Sequence, residues 1–453
     1  MSSPESLAPA AEHSPRPLRI VFFGLGAVGS NLLICLAELA ERDGVPVHFV
    51  VYTIDPAGAR DALFHAERMF DRIDFHGVPD LAPVFAQAAP HDRQLAGAAM
   101  LINAALPELN GPIIELGLRL GAHTMDLASD MYNEATDRTL TVPQYAYDEA
   151  LRERALAALI NLGISPGVTD FLIGRSIFSL LAAGRPGLRI ESIELFLLEE
   201  IDSDQVVFSW SPVVALEELA ACPRVLSEGR IQVMDPFSMA RNHSFPYEPA
   251  PVRQYPLYQE ELLSLHRAFP EIPDIGVYTG GSEVELVKAL YQLNLLSKRT
   301  LPDQPELTVE ALVRAILPGM QRPRRIEELL RSGIIRRAHF CASAEIRVSE
   351  LVRNERQTVI ETVGLSYHRY PELLGSPYAG ATYIAYATGV GAGILAWQTL
   401  QHLRTAPGSI VGVTSGVDLA RQLPQVLADA VRRDLVAWEI DLFQGIRDAA
   451  EVH

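Results

Sequence analysis

The chain has 453 residues, of which 48% are hydrophobic and 21% charged, and its formal net charge is −18 at pH 7. This is the composition of a globular protein long enough for two or three hydrophobic cores. A strongly acidic surface argues against nucleic acid or an anionic membrane as a partner. The three cysteines are too far apart in the sequence for a disulfide framework or a CxxC zinc pair, which favours a reducing cytoplasm.

The pattern of the chain predicts four segments. Residues 1–17 are polar and rich in proline and serine, which is typical of a disordered tail. Residues 18–165 alternate strand-like and helix-like runs, which predicts a doubly wound parallel sheet of the Rossmann type in an α/β protein. The predicted strands there are RIVFFG, VPVHFVVYTID, AAMLINAA, HTMDLA and ALAALINLG. Residues 166–375 carry several successive alternating strands, which predicts a second α/β domain with a mixed or antiparallel sheet. Residues 376–453 return to helical patterns.

One stretch, 375–403, contains no Asp, Glu, Lys or Arg and is long enough to span a bilayer. Its apolar residues are interrupted by Gly389, Gly391 and Gly393, and no basic flank marks a cytoplasmic end. The stretch is therefore predicted to be a buried helix that packs closely on its neighbours, and no membrane association is expected.

The segment GLGAVG follows the first predicted strand and opens a helix. This context is the one that a dinucleotide-binding glycine turn requires. Gly24 allows the tight turn, Gly26 leaves room for a pyrophosphate, and Gly29 lets the helix pack closely on the strand. Ala27 and Val28 stand at the helix N-terminus, whose free N–H groups attract negative charge. We predict that these five residues bind a dinucleotide cofactor; the alternative is a strand-to-helix corner without a ligand.

The cofactor is predicted to be NAD or NADP, with a preference for NAD. Asp55 ends the second strand, where a carboxylate can bind the 2′-hydroxyl of the adenosine ribose and repel a 2′-phosphate. Arg60 lies five residues further on and is a candidate for binding that phosphate instead. Asp55 has a second interpretation as a turn former before Pro56.

In a doubly wound sheet the ligand lies at the carboxyl ends of the strands. Asn103 and Ala104 follow one strand and are predicted to border the nicotinamide side of the cofactor. Asp126 ends the next strand, although loop and cap duty is an equally good interpretation of it. Ser165 is a candidate cap for the following helix, with Asp170 in its first turns. The histidines form no HxxxH or HExxH pair, so no metal site is expected.

These segments, taken in order along the chain, resemble the saccharopine dehydrogenase (saccharopine reductase) family, with its homospermidine synthase and carboxynorspermidine dehydrogenase relatives. The segments that carry the resemblance are GLGAVG, LINAALPELNGPIIELGLRLGAHTMDLASD, LGISPGVTDFLIG, VVFSWSP, GVYTGGSEVELVKALYQLNLLS, and ATGVGAGILAWQTL followed by GSIVGV. They span nearly the whole chain, and their shared order is more specific than any one of them.

The resemblance implies an NAD(P)-dependent oxidoreductase that transfers hydride to or from the C–N bond of an imine or secondary amine formed from an amino acid or polyamine. It also implies a homodimer and C-terminal helices that pack back on the Rossmann domain. Asp126 is the expected catalytic carboxylate, stabilising the iminium charge. The expected substrate-binding residues are Ser129, Ser165, Pro166, Gly167, Thr169, Ser209 and Trp210.

The chain also departs from the family pattern. Ser165 replaces the aspartate of a DPG loop, and the segment PDIGVYTGG lacks the arginines found there in the family. Without those arginines a substrate with several carboxylates is not expected. The acidic run 199–204 is either a solvated loop, which is the preferred interpretation, or a surface that attracts an amine. Two alternatives stay open: a homospermidine-synthase-like cycle without net redox change, and a non-catalytic dinucleotide-binding regulator.

Overall fold

The computed structural model describes residues 17–86, 91–131, 136, 140–209, 212–301, 303–316, 322–353 and 355–449. Most of its strands form two large sheets. The first sheet contains β1 (Leu18–Phe23), β2 (Val47–Thr53), β3 (Ile73–Gly77), β4 (Ala98–Asn103), β5 (His123–Asp126), β6 (Ala157–Leu159) and β17 (Gly412–Thr414). The second contains β7 (Arg189–Ser203), β8 (Arg224–Ser227), β9 (Arg230–Val233), β10 (Arg241–His243), β11 (Val252–Leu257), β12 (Asp274–Gly280), β15 (Ile335–Val352), β16 (Glu355–Tyr367) and β18 (Asp441–Asp448). A separate hairpin pairs β13 (Thr300–Leu301) with β14 (Gln304–Thr308).

Helices connect and flank these strands. The α-helices of the described residues are α1 (Ala27–Arg42), α2 (Pro56–Asp61), α3 (Ala82–Phe85), α4 (Asp92–Leu95), α5 (Asn110–Leu120), α6 (Asp148–Glu153), α7 (Val168–Ala182), α8 (Pro212–Ala220), α9 (Glu260–Ala268), α10 (Ser282–Gln292), α11 (Val309–Ile316), α12 (Pro323–Arg331), α13 (Tyr383–Thr405), α14 (Gly416–Gln422) and α15 (Gln425–Ala437). Short 3₁₀ helices cover Glu67–Arg72, Pro107–Leu109, Pro143–Tyr147 and Tyr370–Leu373.

The first sheet is parallel throughout, in the order β3-β2-β1-β4-β5-β6-β17. Helices link most successive strands, so this is a doubly wound sheet of the Rossmann type. The predicted fold class is therefore confirmed. The strand order reverses between β1 and β4, and this point opens a crevice at the carboxyl edge of the sheet.

The second sheet has its main path in the order β10-β11-β12-β7-β15-β16-β18. The β7–β12 pair is parallel and the other pairs on this path are antiparallel, so the sheet is mixed, as the sequence predicts. The long β15–β16 hairpin is apolar at alternate positions on its buried face, which explains why these residues form strands.

The C-terminal segment contributes a strand to each sheet. Strand β17 pairs with β6 in the first sheet, and β18 pairs with β16 in the second. The sequence predicts only helices here, because β17 is three residues long and β18 follows a helical pattern without a break. The chain thus crosses between the two sheets three times, after β6, after β16 and after β17. The predicted boundaries at 165 and 375 remain a prediction.

Helix α13 occupies most of the uncharged stretch and lies against α1. Glycines on α13 allow this approach: a Cβ on Gly389 would stand 2.6 Å from Asn31 Cβ and 2.8 Å from the backbone of both Val28 and Leu32. A Cβ on Gly393 would stand 2.8 Å from Cys35 Sγ. Among the helices that the structure describes, none is long and apolar enough to cross a membrane.

The contact between α1 and α13 gives a stability prediction. Valine at Gly389 would place its side chain against the backbone of α1, so G389V is expected to lower the free energy of unfolding by about 1–3 kcal/mol. The matched control is G445V, since a Cβ at Gly445 meets nothing within 4 Å. Thermal or urea unfolding measures both variants. Equal stability of G389V and G445V would contradict the packing described here.

Candidate functional site

A cavity of about 410 Å³ lies at the reversal of strand order in the first sheet. Its walls come from the turn after β1, the carboxyl end of β2 with the start of α2, and the residue that follows β4. Residues 62 and 64 after α2, residues 322–323 before and at the start of α12, and residues 377, 378 and 380–382 before α13 complete it. The cavity is therefore placed where open α/β sheets bind ligands.

The three glycines of the turn have different surroundings. Gly24 has a φ of +84°, and a Cβ there would stand 2.8 Å from Ala104 O, so both conformation and space require glycine. A Cβ on Gly29 would stand 2.9 Å from Ala104 Cβ. A Cβ on Gly26 would meet nothing within 4 Å, because this residue faces the cavity. Ala27 also lines the cavity, and Val28 follows it in the first turn of α1.

The end of β2 supplies one carboxylate to the cavity wall. Asp55 caps α2, since Gly58 N donates to Asp55 Oδ1 at 2.9 Å, and its exposed side chain also lines the cavity. Asp55 therefore both forms the turn before α2 and faces the cavity, so the two interpretations of this residue are compatible. Arg60 stacks over Phe75, with its guanidinium carbon 4.3 Å from the ring centroid, and is not among the cavity-lining residues.

Asn103 organises the loop after β4. Its side chain accepts a hydrogen bond from Ala105 N and donates to Leu106 O and Asn110 Oδ1. These contacts hold the loop in place, and Ala104 is the residue that reaches the cavity. Asn103 is therefore a positioning residue: its side chain is engaged in these hydrogen bonds and does not line the cavity.

Asp126 is buried at the end of β5, only 4% exposed. Asn161 N donates to Asp126 Oδ1 at 2.8 Å and Gln144 Nε2 donates to Asp126 Oδ2 at 3.1 Å. Burial raises the pKa of Asp126 to about 7. Ser129 completes the network, because Ser129 Oγ donates to Asn161 Oδ1 and accepts from Gln144 Nε2. These contacts tie the ends of β5 and β6 together, and neither Asp126 nor Ser129 lines the cavity.

The loop 163–167 turns tightly before α7. Gly167 has a φ of +115° and is the N-cap residue, so Ser165 does not cap this helix as predicted. Ser165 Oγ instead donates to Glu261 and accepts from Thr169 Oγ1 at 3.2 Å. The Pro166 carbonyl accepts from Gly163 N at 2.8 Å, which closes the turn.

Three buried carboxylates lie close to one another near this loop, and Glu261 contacts it through Ser165. Glu260 and Glu261 begin α9, and Asp170 lies in the first turn of α7, where helix N-termini favour negative charge. Burial raises the pKa of Asp170 to about 7 and raises the pKa of Glu261 well above its usual value. Asp170 Oδ1 and Glu261 Oε2 have no hydrogen-bond partner among the described residues.

A second acidic group lies beside Ser209, which is fully buried. Ser209 N donates to Glu283 Oε2 at 3.2 Å, and Tyr383 OH donates to Glu283 Oε1 at 2.8 Å. Burial raises the pKa of Glu283 to about 7. Thr382, which lines the cavity, donates to the Ser209 carbonyl. Ser209 is therefore one contact away from the cavity wall.

Eleven of the predicted site residues fall into two sets, and Val28, Gly29, Pro166 and Gly167 belong to neither. The cavity brings together Gly24, Gly26, Ala27, Asp55 and Ala104. Asn103, Asp126, Ser129, Ser165, Thr169 and Ser209 form the buried polar layer next to it. Trp210 lies outside the described residues.

Sequence reasoning missed Glu260, Glu261 and Glu283 of the buried layer. Acidic residues at a helix start usually serve as capping groups, and only the fold shows that these three are buried. The acidic run 199–204 lies largely on strand β7 rather than on a loop. Its Asp202 and Asp204 pair with Arg336 at the surface, with contacts of 2.5 and 2.7 Å.

Within the described residues, no group of three or more His, Cys, Asp or Glu side chains is arranged to hold a metal ion. No family model matches the chain. One curated relative, carboxyaminopropylagmatine dehydrogenase from Synechocystis sp. (strain ATCC 27184 / PCC 6803 / Kazusa), is 26% identical over 185 residues, which are 39% of this chain. The match spans 42% of the length of that relative.

The structure is similar over 95% of this chain to all of the apo histidine-tagged saccharopine dehydrogenase (L-Glu forming) from Saccharomyces cerevisiae. The TM-score is 0.64 at 14% sequence identity. The chain has the saccharopine dehydrogenase fold. The resemblance to this family predicted from the sequence is therefore confirmed at the level of the fold.

The raised pKa of Asp170 gives a pH prediction. As pH rises from about 4 to about 7, the unfolded chain releases this proton while the folded protein keeps it, so wild-type stability falls in that range and stays lower above it. D170N removes the cost of burying the charge and keeps the acceptor for Ser264 Oγ. The free energy of unfolding of D170N relative to that of wild type should therefore increase by on the order of 2 kcal/mol from pH 5 to pH 8.

Thermal unfolding at both pH values measures this gain. The control is E271Q, which changes an exposed carboxylate and should give the same difference from wild type at both pH values. A pH-independent difference for D170N as well would show that Asp170 is ionised in the folded protein across this range.

Proposed function

We propose that the protein is an NAD(P)-dependent oxidoreductase that transfers hydride to or from the C–N bond of an imine or secondary amine. The observation that carries the proposal is the cavity at the reversal of strand order, bounded by a glycine turn in which only Gly26 has open space in front of it. A pyrophosphate fits this geometry, since it needs close approach to backbone N–H groups at a helix N-terminus.

The two proteins compared above support the reaction type. Both names denote dehydrogenases, which require an acceptor for hydride, and a nicotinamide dinucleotide supplies that chemistry. Asp55 on the cavity wall favours NAD over NADP, because a carboxylate at the ribose repels a 2′-phosphate. The cofactor would lie along the turn after β1, with Ala104 bordering it from the neighbouring strand.

The buried polar layer supports an amine as substrate. Glu261 accepts from Ser165, Glu260 accepts from Ser129 N, and Glu283 lies beside Ser209. Asp170, which accepts from Ser264, interacts electrostatically with Glu261. An ammonium or iminium group is stabilised by such carboxylates, whereas a substrate with several carboxylates is repelled. We propose a small-molecule amine or amino acid as substrate, with Ser129, Ser165, Pro166, Gly167, Thr169, Ser209 and Trp210 as the substrate-side residues.

The chain's own residues would act mainly by positioning. Holding the imine carbon against the nicotinamide turns hydride transfer into a step between two oriented groups. We propose Asp126 as the carboxylate that stabilises the iminium charge, through the network that joins it to Ser129. A cytoplasmic homodimer also remains a proposal.

Cofactor binding is tested by G26V. Gly26 has extended backbone and open space, so valine is expected to leave the melting temperature unchanged while its side chain fills the pyrophosphate position. Calorimetry with NAD(H) and NADP(H) should show that wild type binds one of them and that G26V loses at least tenfold in affinity. G445V is the matched control and should bind like wild type. Unchanged binding by G26V would show that the cavity is not the cofactor site.

The reaction is tested by mixing the protein with NADH or NADPH, an amine and an aldehyde or keto acid, and following absorbance of the reduced nicotinamide. The expected result is nucleotide oxidation that requires both the amine and the carbonyl compound. A homospermidine-synthase-like cycle would instead convert two amines to a secondary amine and ammonia with a catalytic amount of NAD, without the carbonyl compound and with no net change of the nucleotide. Binding of the nucleotide without reaction with any of the amines and carbonyl compounds tested would indicate a regulator.

A further inference from the structure

One arginine lines the proposed dinucleotide cavity, and it comes from a part of the chain far from the glycine turn. Among the described residues that line it, Arg322 is the only lysine or arginine. Arg322 immediately precedes α12, in the part of the chain between β14 and β15, so it comes from the half of the molecule that forms the second sheet. A cation on the wall of a cavity that takes an anionic ligand needs an explanation.

The position of Arg322 follows from the docking of α12 on the first domain. Arg324 pairs with Asp61 at 2.7 Å and stacks over Phe64, with its guanidinium carbon 4.5 Å from the ring centroid. His65 Nε2 lies 2.9 Å from Glu327 Oε2. These contacts connect α12 to the end of α2 and to the segment that follows it, and they hold the start of α12 at the wall of the cavity.

Gly380 makes this approach possible. A Cβ at Gly380 would stand 2.5 Å from Pro323 Cβ and 2.9 Å from Phe64 Cε1, so three separate parts of the chain meet here without space for a side chain. Arg322, next to Pro323, therefore starts from a fixed backbone. Its own exposed side chain has no hydrogen bond or ion pair among the described residues and is free to meet a ligand.

We propose that Arg322 binds a phosphate group of the dinucleotide. A guanidinium presents paired donors to phosphate oxygens. The helix N-terminus at Gly26, which belongs to the half of the molecule that forms the first sheet, provides only backbone donors. Binding of the phosphate would thus join the two halves of the molecule across the cofactor. This inference rests on the proposed function, because it requires a dinucleotide in the cavity.

Two phosphates of the dinucleotide share this chemistry. The pyrophosphate is common to NADH and NADPH, whereas the 2′-phosphate belongs to NADPH alone. Asp55 disfavours a 2′-phosphate at the end of β2, and Arg322 would offset this repulsion if it binds there. Arg60, stacked on Phe75, is the rival cation for the same phosphate.

The experiment compares R322Q with wild type by calorimetric titration with NADH and with NADPH. The expected result is a loss of about tenfold in affinity, for both nucleotides if Arg322 binds the pyrophosphate and for NADPH alone if it binds the 2′-phosphate. R322K should recover part of the loss, since it keeps the charge without the paired donors. Lower salt should enlarge the difference between R322Q and wild type.

The matched control is R325Q, which changes an arginine of the same helix whose partner is Glu328 and which does not line the cavity. R325Q should bind both nucleotides like wild type. If wild type binds a dinucleotide and R322Q binds it equally well, the role of Arg322 is overturned and the proposed function stands. Loss of NADPH binding in R60Q but not in R322Q would overturn it in the same way. If wild type binds neither nucleotide, the proposed function itself fails.

Discussion

The close approach of three backbones around the start of α1 is the constraint on which the rest of the site depends. Gly24 lies against the carbonyl of Ala104, Gly29 lies against its Cβ, and Gly389 brings α13 onto the first turns of α1. No side chain larger than hydrogen fits at these contacts. Because α1 is clamped between the loop after β4 and α13, its N-terminus points at a fixed place in the cavity.

A second constraint is the burial of acidic groups. Asp126, Asp170 and Glu283 each have a pKa raised to about 7 by burial, so they lie close to the point of ionisation at neutral pH. Hydrogen bonds from Asn161, Ser264 and Tyr383 offset part of the desolvation. The interior is thus able to exchange protons or to accept a cation, and either property suits chemistry at a C–N bond.

The sequence predicts the local elements of the fold well, because each has a local cause. The glycine turn, the apolar strand before it and the amphipathic helix after it are all visible between residues 18 and 42. Strands β3 and β17 are not among the predicted strands, since short segments acquire their conformation from the neighbours with which they pair. The helical pattern at the C-terminus likewise hides β18.

The candidate site could be predicted only in part for a related reason. Gly26 and Asp55 follow strands directly, so the parallel sheet brings them to one edge. The roles of Asp126 and Ser165 depend on partners far away in the chain, Asn161 and Glu261, and no local pattern shows them. Arg322 reaches the cavity only because α12 docks on residues 61–65.

Following the hydride itself tests the proposed reaction most directly. The protein is given NADH or NADPH carrying deuterium at the transferable position of the nicotinamide, with an amine and a carbonyl compound, and the product is examined by mass spectrometry. The expected product is a secondary amine with deuterium on the carbon of the new C–N bond. A product without deuterium, or no secondary amine despite tight binding of the cofactor, would contradict the proposed reaction.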